Sequence, residues 1–132
     1  MSGKKVLIVE DEIFAQKAIR NVLESHGYTA LAASDGATAV SIAMSEMPDL
    51  IILDLNLPTA DPFSQQWDGF VVMDWLKRMA GEKKIPVIVL TSSDPAQVQQ
   101  RVIEAGAAAF FQKPVDEEKL FAAIKDALEE SG

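Results

Sequence analysis

The sequence predicts an α/β fold, a doubly wound five-stranded parallel sheet with helices on both faces. Two observations carry this reading. Short apolar runs and helix-like segments alternate five times along the chain, and the runs "KVLIV", "LIILD" and "IPVIVLTS" are apolar without the polar alternation of a half-exposed strand. Such runs mark strands covered on both sides. Strand–helix–strand crossovers of this length require parallel neighbours and right-handed connections, which place helices on both faces of one sheet.

Each element has its own signals. "KVLIV" is the first strand, and Asp11 or Glu12 can start a helix that runs to about His26, with Ala15, Ile19, Val22 and Leu23 as its inward stripe and Gly27 as its stop. "YTALAA" is a weaker second strand. Ser34 or Asp35 caps a helix of small residues in which Ala37, Val40 and Met44 recur at helical spacing, closed by Pro48. "LIILD" is the strongest interior strand. After a long connection, "GFVVMDWLKRMA" reads as a helix, and "IPVIVLTS" as a strand with Pro86 near its start, where a missing amide does least harm. "SDPAQVQQRVIEAG" carries a polar cap, Pro95 in its first turn and Gly106 past its end. "AAAFF" is the fifth strand, and "DEEKLFAAIKDALEE" the last helix, with Leu120, Ile124 and Leu128 inward. Met44, Met47, Met73 and Met79 fall at packing positions, and His26, the one histidine, at a surface position on the first helix's end.

Bulk properties narrow the function. The 132 residues suit one domain over 1–132, with a core of about 5–128. Hydrophobic residues at 48% and charged residues at 24% give an ordinary soluble balance, and no apolar run reaches the length of a membrane helix. The absence of cysteine excludes disulfide and thiolate chemistry and fits a cytoplasmic protein. A formal charge of −8 argues against a nucleic-acid backbone as a direct partner.

In doubly wound sheets ligands sit beyond the carboxyl ends of the strands, where strand order reverses. The polar residues of interest fall at those ends: strand one ends in Glu10 and Asp11, strand three in Asp54, strand four in Thr91, and strand five in "FFQKP" with Lys113. Three carboxylates converging on one rim repel one another unless neutralised. Lys113 and a divalent cation are the candidates, and an all-oxygen donor set favours a hard ion, magnesium first and manganese in its place. Taken singly, Asp11 reads equally well as a helix cap. "VEDEIFAQ" contains no glycine, which disfavours a dinucleotide, nucleotide-phosphate or flavin loop, and no nucleophile elbow is present. An aspartate-based phosphatase would place a second acid two residues after its nucleophile, where this chain has Asn56.

The set "VLIVEDE", "DLIILDLNLP", "VIVLTSS" and "AFFQKPVD" resembles the response-regulator receiver domain of two-component phosphorelays, in order and across nearly the whole chain. The resemblance implies a CheY-like, flavodoxin-like three-layer sandwich with strand order 2-1-3-4-5. It implies that Asp54 accepts a phosphoryl group from a sensor histidine kinase or histidine phosphotransfer protein. Magnesium would be held by Asp11, Asp54 and the backbone carbonyl of Asn56, with Glu10 acting through water. Thr91 matches the hydroxyl residue and Lys113 the lysine that meet the phosphoryl group, the Lys113–Pro114 bond is expected to be cis, and Phe110 stands at the aromatic switch position, where the plain alternative is a core aromatic. Ser93 and Asn56 flank the path of hydrolytic water.

The chain departs from the family between Asp54 and "DG" at Asp68–Gly69, where the connection is about seven residues longer. Three readings of this extended loop, 58–68, stay open: a lid over the site, a docking loop, or packing against the adjacent helix. Phe63 and Trp67 are its residues of interest, since large aromatics are awkward to leave in water. The function expected is a phosphorylation-dependent switch that binds a downstream protein target, as a monomer or a phosphorylation-dependent homodimer, and is no enzyme beyond its own phosphorylation and slow dephosphorylation. The alternative is a phosphorylation-independent interaction module on the same fold.

Overall fold

The computed structural model describes residues 4–55, 72–75, 78, 85–92 and 94–131. Its centre is one five-stranded parallel sheet in the order β2-β1-β3-β4-β5, as the resemblance implied. The strands are β1 (Lys5–Val9), β2 (Thr29–Ala33), β3 (Leu50–Asp54), β4 (Val87–Thr91) and β5 (Ala109–Gln112). The helices are α1 (Ile13–Ser25) and α2 (Gly36–Glu46), then α3, described over residues 72–75, then α4 (Pro95–Glu104) and α5 (Glu117–Ser131).

The continuous apolar runs divide between two cores by strict alternation. Leu7, Val9, Ile51, Leu53, Val87 and Val89 point to one face, where Ala39 and Ala43 of α2, Val72 and Met73 of α3 and Val102 of α4 cover them. Val6, Ile8, Leu50, Ile52, Ile88 and Leu90 point to the other, under Ile19 and Leu23 of α1 and Leu120, Ile124, Ala127 and Leu128 of α5. A strand buried on both faces has no polar position to spare, hence its unbroken apolar sequence. Each such Leu, Ile or Val side chain contributes about 1.5–3 kcal/mol through burial.

Helix ends follow the sequence signals, with details it left open. Glu12, rather than Asp11, caps α1: its carboxylate accepts the N–H groups of Phe14 at 3.2 Å and Ala15 at 2.7 Å. Asp35 caps α2 through the Thr38 N–H at 2.7 Å, and Asp94 caps α4 through the Ala96 N–H at 3.0 Å. Gly27 and Gly106 take φ of 85° and 86°, the left-handed turns in which a side chain would be crowded. Met47 also ends α2 in the left-handed region, at φ 45°, ahead of Pro48.

Two packing expectations are corrected. The inward face of α2 is Gly36, Ala39, Val40 and Ala43, so Ala37 is exposed and Met44 is 63% exposed. Met47 is also exposed, leaving Met73 as the buried methionine of the expected set, while Met79 lies outside the described residues. His26 is exposed as expected, yet its ring stacks on Phe121 of α5 with centroids 3.8 Å apart, and its Nδ1 lies 2.8 Å from the Val22 carbonyl.

Candidate functional site

The sheet order sets the site. β1 pairs with β2 on one side and β3 on the other, so the chain reverses direction of winding between β1 and β3. At the carboxyl ends of these two strands stand Asp54, the last residue of β3, and Glu10 and Asp11, which follow β1. Strand ends buried on both faces are stiff mounts, and they hold side chains at positions that would be costly without compensation. Glu10 is 1% exposed, Asp54 2% and Thr91 0%.

Lys113 supplies the compensation. Its Nζ donates to Glu10 Oε1 at 2.5 Å and to Asp54 Oδ2 at 2.9 Å, bridging the two buried carboxylates. The lysine is delivered from β5 by a backbone bond, Lys113 N–H to the Thr91 carbonyl at 2.8 Å, and the Lys113–Pro114 peptide is cis as expected. The remaining oxygen of Glu10 accepts the Glu12 N–H at 3.1 Å, and Gln16 Nε2 donates to the Glu10 carbonyl at 2.9 Å. The Leu55 N–H donates to the Leu90 carbonyl at 2.9 Å, which extends the β3–β4 ladder past Asp54.

These environments shift two groups. Burial raises the Glu10 carboxyl above its ordinary 4.5, with Asp54 adding to the rise and the bonds from Lys113 and the Glu12 amide opposing it. Burial pulls the Lys113 ammonium down, but its bonds to Glu10 and Asp54 outweigh that and leave it raised above 10.5.

Glu10, Asp11 and Asp54 each offer a carboxylate oxygen, all within 4.8 Å of one another, with Asp11 exposed and the other two buried. This donor set fits a divalent cation: hard oxygens, one edge open to solvent, and charge that a single lysine leaves incompletely balanced. Asn56, whose carbonyl was expected to join the set, lies outside the described residues, as do Ser93, the extended loop 58–68, Phe63 and Trp67. Thr91 ends β4 beside the pair, since β3 and β4 are in register at Asp54 and Leu90. Phe110 pairs with Val89 across β4 and β5 and is partly buried against the α2–α3–α4 core.

Sequence reasoning missed one feature of the site region. A cleft of about 440 Å³ opens between α1 and α5, with Glu10 and Lys113 among its lining residues.

A five-stranded 2-1-3-4-5 sheet with an acid cluster and one lysine at its strand ends defines a receiver-type α/β protein. Residues 6–125 match the model of the response regulator receiver domain, and the chain belongs to that family. It is 31% identical over 125 residues to the polar-differentiation response regulator DivK of Brucella anthropi, covering 95% of this chain and 96% of that protein. The DivK of Brucella ovis matches to the same extent. Among solved structures, the chemotaxis protein CheY4 of Vibrio cholerae superposes with a TM-score of 0.82 at 27% identity, over 95% of this chain and 98% of that one. A CheY-like receiver domain from Methanospirillum hungatei shares the fold with a TM-score of 0.84 at 23% identity, over 97% and 95% of the two chains.

Proposed function

We propose that this protein is a phosphorylation-dependent signalling switch whose acceptor is Asp54. The observation that carries the reading is the Lys113 bridge: a buried strand-end carboxylate held at 2.9 Å from an ammonium, within an acid cluster suited to a hard cation. An Asp54 oxygen forms a bond to phosphorus as the bond from phosphorus to the donor nitrogen of a phosphohistidine breaks, and the imidazole keeps that electron pair. A carboxylate is a weak nucleophile, so the rate comes from placement and from neutralising the transferred oxygens. Lys113 supplies one positive charge there and the Thr91 hydroxyl a hydrogen bond. Magnesium would be held by Asp11, Asp54 and the Asn56 carbonyl, with Glu10 acting through water, and would supply two further positive charges.

The acyl phosphate adds about −1.5 to −2 charge at the site. Thr91 turning toward it vacates space beside β5 that Phe110 enters, and the β4–α4–β5 surface changes accordingly. The donor is a sensor histidine kinase or histidine phosphotransfer protein, and the recipient of the signal a downstream protein target. Ile13 and Phe14, exposed at the start of α1 beside the rim, offer the donor an apolar contact. The protein acts in the cytoplasm and catalyses no reaction on a metabolite; among the described residues no helix is long and apolar enough to cross a membrane.

Incubation with a phosphohistidine-bearing phosphotransfer protein tests the assignment. Label is expected on the wild type and absent from Asp54→Asn; label retained by the variant would move the acceptor elsewhere.

A further inference from the structure

The two acids that follow β1 stand on a short link, residues 10–12, between the end of β1 at Val9 and the start of α1 at Ile13. Every peptide along that link is held, each by a different group. The Glu10 N–H donates to the Ala33 carbonyl of β2 at 3.0 Å, which carries the β1–β2 ladder past Val9. The Glu12 N–H donates to Glu10 Oε2 at 3.1 Å, so a buried carboxylate fixes the peptide between Asp11 and Glu12. The peptide between Glu10 and Asp11 is held from α1. Its carbonyl is the Glu10 oxygen, and Gln16 Nε2 donates to it at 2.9 Å. Only the nitrogen of the Gln16 amide can face a carbonyl, since an oxygen there would meet a second acceptor. The helix does not depend on this side chain, because the Gln16 backbone N–H makes its own bond to the Glu12 carbonyl at 3.0 Å.

Asp11 is the exposed member of the acid cluster. Glu10 and Asp54 are fixed by burial and by the Lys113 ammonium between them. The direction of the Asp11 side chain follows instead from the peptide that precedes it. We propose that Gln16 is a positioning residue for the divalent cation, which holds the Glu10 carbonyl and thereby aims the Asp11 carboxylate at the cluster. The inference rests on the reading of Glu10, Asp11 and Asp54 as a cation site. Without the Gln16 amide the carbonyl bonds water, the peptide turns more freely, and the cation must order it on binding. The loss then falls on cation affinity rather than on the fold. Groups that orient metal ligands from behind are worth about 10–100-fold in affinity.

The test is a magnesium chloride titration of the whole chain, followed by amide chemical shifts without phosphodonor, for wild type, Gln16→Met and Gln16→Asn. Methionine matches the length and helix preference of glutamine but has no donor, and asparagine keeps the amide one methylene short of the carbonyl. Both variants are expected to bind magnesium about 10-fold more weakly than the wild type. Denaturant melts of metal-free Gln16→Met and wild type should lie close together. In the metal-free spectra the Asp11 amide should move more than that of Glu12, whose bond to Glu10 Oε2 is kept. Equal magnesium affinity in all three proteins would overturn the inference and leave the cation site standing. Unfolding of both variants without metal would also overturn it, since the bond would then serve the fold. A wild type that binds no magnesium would overturn the cation site itself, and this inference with it.

Discussion

Lys113 is the residue on which the site balances. Two buried carboxylates share its ammonium, at 2.5 and 2.9 Å, so its removal leaves charge uncompensated in a dry place. Lys113→Ala is expected to lose about 3 kcal/mol of stability at neutral pH. Magnesium should restore part of that loss, and denaturant melts with and without the ion check both effects. Glu10 carries a pH signature of its own. Its carboxyl is raised on folding, chiefly by burial, so the folded protein holds that proton more tightly than the unfolded chain. Its contribution therefore favours folding at low pH and is lost as pH rises from about 4.5 through the raised value. Lys113 is also raised, so its stabilising contribution is complete below 10.5 and fades only as pH climbs through its higher folded value. Stability of metal-free wild type relative to Glu10→Gln should accordingly fall as pH rises from about 4.5 through the raised value; a flat difference would contradict the burial argument. The gathering of Glu10, Asp54, Thr91 and Lys113 at the strand ends was legible because an acid, a hydroxyl or a lysine closes or follows each apolar run. Which of Asp11 and Glu12 capped α1 was not legible, because both side chains can accept an N-terminal N–H.

At the scale of elements, legibility tracked side-chain size. β1, β3 and β4 could be read from sequence since burial on both faces leaves only apolar residues. α5 was equally plain, because Leu120, Ile124 and Leu128 are large and periodic, and all three are buried. α2 misled, because alanines on every side blur the periodicity and Met44 then looks like the anchor. Its true seam passes through Ala39 and Ala43, both fully buried against the sheet. Met44→Lys should therefore change stability by no more than about 0.5 kcal/mol, whereas Ala43→Leu should cost about 1–3 kcal/mol by overpacking. Thermal melts of the two variants decide between the faces. The α1–α5 cleft could not be read at all, since a gap between two helices depends on how far apart they pack and on no single sequence signal.

For the whole molecule, the fold serves to bring four strand ends together. Glu10, Asp54, Thr91 and Lys113 are separated by up to 103 positions in sequence, yet the 2-1-3-4-5 order sets β1, β3, β4 and β5 side by side. A cation that binds this assembled cluster and not the unfolded chain stabilises the fold by mass action, about 2.7 kcal/mol at a hundredfold excess over its Kd. Magnesium should thus raise the Tm of the wild type, and Asp11→Asn should abolish most of that rise. On the proposed function, Asp54 receives a phosphoryl group with the help of this assembled rim. Intact mass after incubation with acetyl phosphate, with and without magnesium, for wild type and Asp54→Asn, tests it most directly. The account predicts one phosphoryl addition that requires magnesium and is absent from the variant. An addition that persists in Asp54→Asn, or none on a wild type that binds magnesium, would contradict it.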